Sequence, residues 1–434
     1  MIKTYLRQAW MLMKQNKLFT SIYVVGTGLS IALVMTMFII FYVKFAPIYP
    51  EYNRDRTLVI KPVKRYPKGK PENWNINGGV SYYVVKNMLP GLPHLEVVGG
   101  GYLNNFNDNK VSLPGKEQLS VTSYYVDMGF WKVFSFSFIS GNTFTQADVD
   151  ASLPVAVISA TLAQRIFAST DVKGKHFTYN GKDFRVSGVV KDVSNATPET
   201  AADLWLPISL KVKLSENNLS LIGNVRAYLL ATTAADKDAL RKEVQELFRK
   251  NNLQNDTYDH DLMDQPDDYW VSTFRQEVDK APDLTEIVKS FLYMLLALLF
   301  IPALNLSGMI SSRMDKRLCE LGVRKAYGAT NRQLLSQVLW ENLLMTCIGG
   351  LAGLLISYLI VATASDWILT LFDERVMDPT KTMNLTPEML FNPAVFGMAF
   401  GVCVLLNLVS ALIPAIWWKI QSPLPPLVHL KLTP

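Results

Sequence analysis

The densest chemistry in this sequence lies in RLCELGVRKAYGATNRQLLSQ, Arg317 to Gln337. An acid, Glu320, and two bases, Arg324 and Lys325, surround the apolar pair Leu321 and Val323, with Gly322, Gly328 and Thr330 between and after them. This set has no nucleophile paired with a base. Apolar anchors ringed by charge instead make a docking surface, in which burial supplies affinity and charge supplies orientation. Met314, Leu318 and Leu321 share one helical face. Gly328 suits the left-handed residue that closes a helix, and Thr330 with Gln333 has the T-x-x-Q spacing of a capping box opening the next one. The stretch is predicted to be a helix, a tight turn and a second helix. A bare topology signal would need its positive charge but not this punctuation.

Other chemistry is missing. No G-x-x-x-x-G-K-[ST] occurs, so the usual phosphate cradle is absent, and neither G-x-S-x-G nor H-E-x-x-H is found. The histidines at 94, 176, 260 and 429 are scattered; only Asp259-His260-Asp261 sets one beside carboxylates, and that acidic run reads as a solvated loop. We assign no catalytic, cofactor-binding or metal-ligating residue on this chain, and expect no nucleic-acid partner.

The hairpin needs elements to hold it, and these are membrane helices. The 434 residues are 49% hydrophobic and 18% charged, with a mean hydropathy of +0.15. Four stretches lack any charge and are long enough to cross a hydrocarbon core: Leu18–Val43, Ser290–Ser312, Asn342–Ser365 and Met389–Trp418. Lys3, Arg7, Lys14 and Lys17 precede the first with no acid among them. Arg313, Lys316, Arg317, Arg324, Lys325 and Arg332 outnumber Asp315 and Glu320 after the second, whereas five acids outweigh Arg375 and Lys381 after the third. Positive residues stay cytoplasmic. Both termini and the hairpin are therefore expected inside and the large segment outside. Cys319, Cys347 and Cys403 leave that external segment without a cysteine, so it must stand on its own core.

The expected fold class is an α-helical membrane protein with four transmembrane helices and a large mixed α/β external domain between helices one and two. Residues 1–17 form a cytoplasmic amphipathic helix, with Ile2, Leu6, Ala9, Trp10 and Met13 on one face. Residues 18–46 are the first span, 47–283 the external domain, 284–312 the second span with an external extension, and 313–341 the hairpin. Residues 342–365 and 389–418 are spans three and four around a short external loop, 366–388, and 419–434 are a cytoplasmic tail.

Within the external segment, Thr57–Val63, the helix-like SYYVVKNML and LEVVGGGYL read as one β-α-β unit; VRAYLLATT and the helical pattern of Lys237–Lys250 read as part of a second. Between them PVAVISATLAQRIF joins a strand to a helix, and Asn180-Gly181 turns a hairpin in KHFTYNGKDFRVSGVV. A helix from Leu284 to Ser312 would be about 43 Å long at 1.5 Å per residue, so it projects beyond the bilayer, as does the first. Inside the spans, Gly349 and Gly353 have G-x-x-x-G spacing for close helix contact, and Asn305 and Asn407 suit interhelical packing.

These residues resemble the FtsX-like permease family, membrane subunits of ABC systems that include MacB, LolC/LolE and FtsX. The family's acid, apolar-Gly-apolar triplet, Arg-Lys and Gly-Ala-Ser/Thr stand here as Glu320-Leu-Gly322-Val-Arg324-Lys325-Ala-Tyr-Gly328-Ala-Thr330, a later Glu as Glu341, and the C-terminal signature as SALIPAIWWKIQSPLPPL. The tail is richer in proline than the family's usual ending. YYVDMGFWKVFSFSFISGNTF, AVISATLAQRIF, VKGKHFTYNGKDFRVSGVVKDV and ADLWLPIS follow the order of the MacB periplasmic core domain.

The resemblance implies that Glu320, Leu321, Gly322, Val323, Arg324, Lys325, Gly328 and Thr330 meet a cytoplasmic ATPase that binds ATP-Mg on a separate chain. It implies a second permease chain, identical or paralogous, in the inner membrane, and mechanical transmission rather than a substrate pore. Efflux through a periplasmic adaptor and a TolC-like outer-membrane channel is the first expectation. Lipoprotein extraction and control of cell-wall hydrolases are the alternatives.

Overall fold

The computed structural model describes residues 17–275 except 72–73, 105–108 and 213–220, then 280–294 and 331–370, with isolated positions elsewhere that include Val323, Tyr327, Gly328 and Thr330. The chain divides into two compact units, one of residues 1–42, 285–372 and 385–434, the other of residues 43–284 and 373–384.

The described residues of the first unit are mostly helical. Among the described residues, Thr20–Phe45 and Leu343–Ile360 are long and apolar enough to cross a membrane. They belong to continuous helices, Lys17–Phe45 and Asn331–Thr370. The second helix of the expected hairpin and the third span are thus one element, and it continues into the stretch expected to be the loop 366–388. The second span begins as a helix over 284–294, and scattered helical positions occur over 393–405. The rest of spans two and four, most of the 1–17 helix and the tail 419–434 lie outside the described residues.

The second unit is built on a 12-stranded sheet. Thr57–Ile60 pairs antiparallel with Arg226–Ala231 on one side and Asp267–Asp268 on the other, and Arg226–Ala231 pairs antiparallel with Leu95–Asn104. Each strand therefore runs parallel to its next-but-one neighbour. Thr57–Ile60 reaches Leu95–Asn104 through the helical turn Val84–Met88, and Arg226–Ala231 reaches Asp267–Asp268 through the helix Lys237–Gln254. These are two interlocked split β-α-β units.

Residues between Asn104 and Arg226 extend the same sheet. Ser123–Val126 pairs with Leu95–Asn104, then Leu204–Pro207, Val155–Ser159, Lys182–Val190 and His176–Tyr179 follow in order. Ser123–Val126, Leu204–Pro207 and Val155–Ser159 are buried at every position, which is why they read as unbroken apolar runs rather than alternating ones. The hairpin turns at Asn180 and Gly181, with φ of 46° and 78°. Positive φ at both positions is what a two-residue turn between twisted strands requires.

Two sequence expectations change. The run Thr57–Val63 is broken at Lys61-Pro62: Thr57–Ile60 stays in the large sheet, while Val63–Pro67 moves to a four-stranded sheet with Ile76–Val80. Asp259-His260-Asp261 is not a solvated loop. It lies in the strand Tyr258–Asp261, paired antiparallel with Val63–Pro67, and His260 is buried. Its backbone N–H donates to Asn252 Oδ1 at 2.9 Å, while Asp259 accepts from Lys68 and the Gly69 N–H. Pairing with Val63–Pro67 and the bonds from Lys68 and Gly69, all distant in sequence, draw an acidic stretch into a sheet edge.

Two glycines let a helix lie directly on the sheet. Asp127 caps the helix Met128–Val133 by accepting from the Phe130 N–H at 2.9 Å. A Cβ at Gly129 would overlap the Val98 carbonyl oxygen, and one at Gly99 would stand 2.5 Å from the Phe130 nitrogen. That close approach seats Phe130 among Tyr124, Phe134 and Tyr228, with ring centroids 4.8–5.9 Å away.

Candidate functional site

At the predicted docking hairpin, Val323 is helical and exposed, and its carbonyl accepts from the Tyr327 N–H at 3.1 Å. Gly328 follows with φ of 92°, the left-handed conformation that ends a helix. The Thr330 N–H donates to Gln333 Oε1 at 2.9 Å and the Gln333 N–H points back to Thr330 Oγ1 at 3.4 Å, which is capping-box geometry at the start of Asn331–Thr370. Glu320, Leu321, Gly322, Arg324 and Lys325 lie outside the described residues, as do Asn305 and Asn407. Sequence reading passed over Tyr327. It is 90% exposed beside the turn, and an aromatic directly before Gly-Ala at a helix end was its only signal.

Gly349 and Gly353 face the first membrane helix. A Cβ added at Gly353 would stand 2.6 Å from the Gly28 carbonyl oxygen and 3.1 Å from Ile31 Cβ; one at Gly349 would stand 3.1 Å from Thr27 Cβ. Gly28 completes the contact, and it was visible in the sequence only as a small residue within an apolar span. Met345, Gly349, Gly353 and Ser357 form a buried stripe, while Leu351, Leu355 and Leu359 form an exposed one on the other side. Small residues on one face allow backbones to meet without a hydrophobic drive from lipid. Gly353→Leu is expected to lower stability in mild detergent by about 1–3 kcal/mol through overpacking. Gly397→Leu, where nothing lies within 4 Å of the added Cβ, serves as the neutral comparison. Equal unfolding midpoints for the two would remove Gly353 from the packing argument.

The external unit carries a buried ionic network that sequence reading missed. Arg54 pairs with Glu51 at 2.6 Å, and the Tyr269 hydroxyl also donates to Glu51. Nearby, Glu199 is paired with Lys61 at 2.7 Å and Arg226 at 2.9 Å and accepts from the Tyr228 hydroxyl. Both carboxylates are almost wholly buried. Burial pushes the Tyr269 and Tyr228 hydroxyls well above their ordinary range, reinforced by Glu51 and Glu199 respectively. Burial opposes the charge on Arg54 and Arg226, yet the carboxylate beside each keeps its guanidinium above the usual value. The tyrosines thus stay neutral donors and the arginines stay charged across the physiological range.

The fold and this geometry now meet known proteins. The profile of the MacB-like periplasmic core domain matches residues 20–247, more than half of the chain, and that of the FtsX-like permease C-terminal matches residues 292–419. The chain belongs to the MacB-like, FtsX-like ABC transporter permeases. The permease is similar to the ABC transporter permease YknZ of Bacillus subtilis, 26% identical over 244 residues that cover 56% of this chain and 58% of YknZ. It is similar to the macrolide export ATP-binding/permease protein MacB of Aggregatibacter actinomycetemcomitans, 26% identical over 56% of this chain and 36% of MacB. The pyoverdine export ATP-binding/permease protein PvdT of Pseudomonas syringae pv. syringae is 23% identical over 81% of this chain and 51% of PvdT. The MacB-like permease thus spans less than two thirds of the length of each of these relatives. Among solved structures, a permease domain from Porphyromonas gingivalis aligns with 56% of this chain and 99% of its own at 19% identity, with a TM-score of 0.38.

Proposed function

We propose that this chain is the membrane subunit of a MacB-type ABC exporter. It sits in the inner membrane of a double-membraned bacterium with both termini in the cytoplasm and the 47–283 domain in the periplasm. It pairs with a second permease chain, identical or paralogous. ATP-Mg is hydrolysed on separate ATPase subunits seated on the 313–341 hairpin. The resulting motion of helices one and two does work in the periplasm, on a substrate handed to an adaptor and a TolC-like outer-membrane channel.

One observation carries this reading: a MacB-like periplasmic core and an FtsX-like permease region occur on one chain, in that order. The export functions in the names of MacB and PvdT support the direction of transport. The missing phosphate-cradling loop supports assigning hydrolysis to a partner. In the test, the chain is purified alone and together with a co-expressed ABC ATPase. Alone it is expected to turn over no ATP; the pair is expected to co-purify and hydrolyse. Turnover that follows this polypeptide through purification without a partner would overturn the assignment.

A further inference from the structure

The last carbonyls of a helix have no intrahelical donor. At the end of Lys17–Phe45 they meet a buried guanidinium: Arg54 Nη1 donates to the carbonyls of Val43 at 2.8 Å, Ala46 at 2.9 Å and Lys44 at 3.3 Å. The rest of its fork goes to Glu51 Oε2, at 2.9 Å from Nε and 2.6 Å from Nη2. Glu51 passes the connection outward. Its Oε1 accepts from Thr200 Oγ1 at 2.8 Å, in the loop between the strands Lys182–Val190 and Leu204–Pro207, and its Oε2 accepts from the Tyr269 hydroxyl.

A second arginine repeats the device where the chain leaves the external unit. Arg275 grips Asp267 with two bonds, 2.6 and 2.9 Å, and its Nη1 donates to the Lys280 carbonyl at 3.0 Å, just before the helix over 284–294. At the end of the first of these helices, Phe45 meets Trp270 and Phe274, with centroids 6.0 and 6.3 Å apart.

Stability alone does not call for such a cluster, because well-packed apolar residues stabilise as well as a buried ion pair once desolvation is counted. A rigid, bidentate guanidinium fixes geometry. We infer that Arg54 is a positioning residue for coupling: it locks the outer end of the first membrane helix to the 191–203 loop and to the segment entering the second helix. Helix displacement then reaches the external unit without slack. The inference rests on the reading of the chain as an ATP-driven permease.

The test uses the full chain bound to its ATPase subunits and reads amide hydrogen exchange with and without a non-hydrolysable ATP analogue. Wild type is expected to show a nucleotide-dependent change at residues 194–201. Arg54→Met and Arg54→Lys are expected to shrink it about fivefold or more, the size of an ordinary coupling term, with protection of the Val155–Ser159 and Lys182–Val190 strands unchanged. Lysine keeps the charge but loses the fork, so it separates charge from geometry. A merely structural role predicts lower protection throughout with the nucleotide response intact; a response within about twofold of wild type overturns the inference. If Arg54→Met loses protection in those strands, Thr200→Val with Tyr269→Phe decides instead, since it spares the Arg54–Glu51 pair and removes its outward bonds. The same fivefold drop there supports the inference, and a wild-type response overturns it. A wild-type complex whose external unit ignores nucleotide would sink the permease reading itself, a different result from variants that respond normally.

Discussion

Arg324→Glu is expected to leave the permease in the membrane and to separate it from the ATPase proposed to sit on its hairpin. If the hairpin seats the ATPase as proposed, the substitution reverses one of its charges and sets an acid against whatever acid of the partner Arg324 had faced. Losses of about 2–5 kcal/mol are usual when one member of such a pair is removed, so binding should weaken about thirtyfold or more. Insertion should survive, because Lys3, Arg7, Lys14 and Lys17 and five other bases of the hairpin keep the positive bias that the proposed orientation needs. Gly328→Val should reach the same end by another route. Nothing lies within 4 Å of a Cβ at Gly328, so crowding plays no part; the cost, about 1–2 kcal/mol, comes from forcing a β-branched residue to a φ of 92°. The turn re-aims both helices while every charge stays in place. ATPase co-purification at wild-type levels from both variants would reduce the stretch to a topology signal.

Gly129→Ala is expected to give the largest loss of stability of any single methyl added to the external unit. Its Cβ overlaps the Val98 carbonyl oxygen and stands 2.8 Å from Gly99 Cα, and both are backbone atoms of the strand Leu95–Asn104. Neither yields without moving the sheet, so the helix Met128–Val133 must lift and draw Phe130 out of its aromatic seat. Overpacking of this kind costs about 3 kcal/mol or more. Gly115→Ala is the comparison: unlike Gly129 it has a positive φ, 77°, but nothing lies within 4 Å of its added Cβ, so it should cost only about 1 kcal/mol. Denaturant midpoints followed by tryptophan fluorescence, with Trp131 and Trp205 inside the affected core, measure the difference. Equal midpoints would mean the helix does not rest on the strand.

Signals carried by neighbouring residues were legible in the sequence. The two apolar helices Thr20–Phe45 and Leu343–Ile360, the Asn180-Gly181 turn, the strand-to-helix join at Ser159 and the Thr330–Gln333 cap each depend on neighbouring positions. What was illegible depends on partners far along the chain. Glu51 and Arg54, three apart, resemble an ordinary surface pair until Thr200 and Tyr269 bury them. Asp259 to Asp261 carries no strand signal of its own and becomes one only beside Val63–Pro67. Gly99 and Gly129 look like loop or strand-weakening residues, because a backbone contact between two segments leaves no periodic trace.

Leu95–Asn104 belongs to two parts of the external unit at once, with Arg226–Ala231 bonded along one edge and Ser123–Val126 along the other. The split β-α-β core and the inserted strands therefore share a beam instead of meeting at a seam. A clamshell motion would have to unzip that ladder, breaking several backbone bonds in a dry interior where each lost partner is costly. Under the proposed export function, any motion passed to this unit is therefore expected to be shared by the split β-α-β core and the inserted strands, because the strand between them belongs to both.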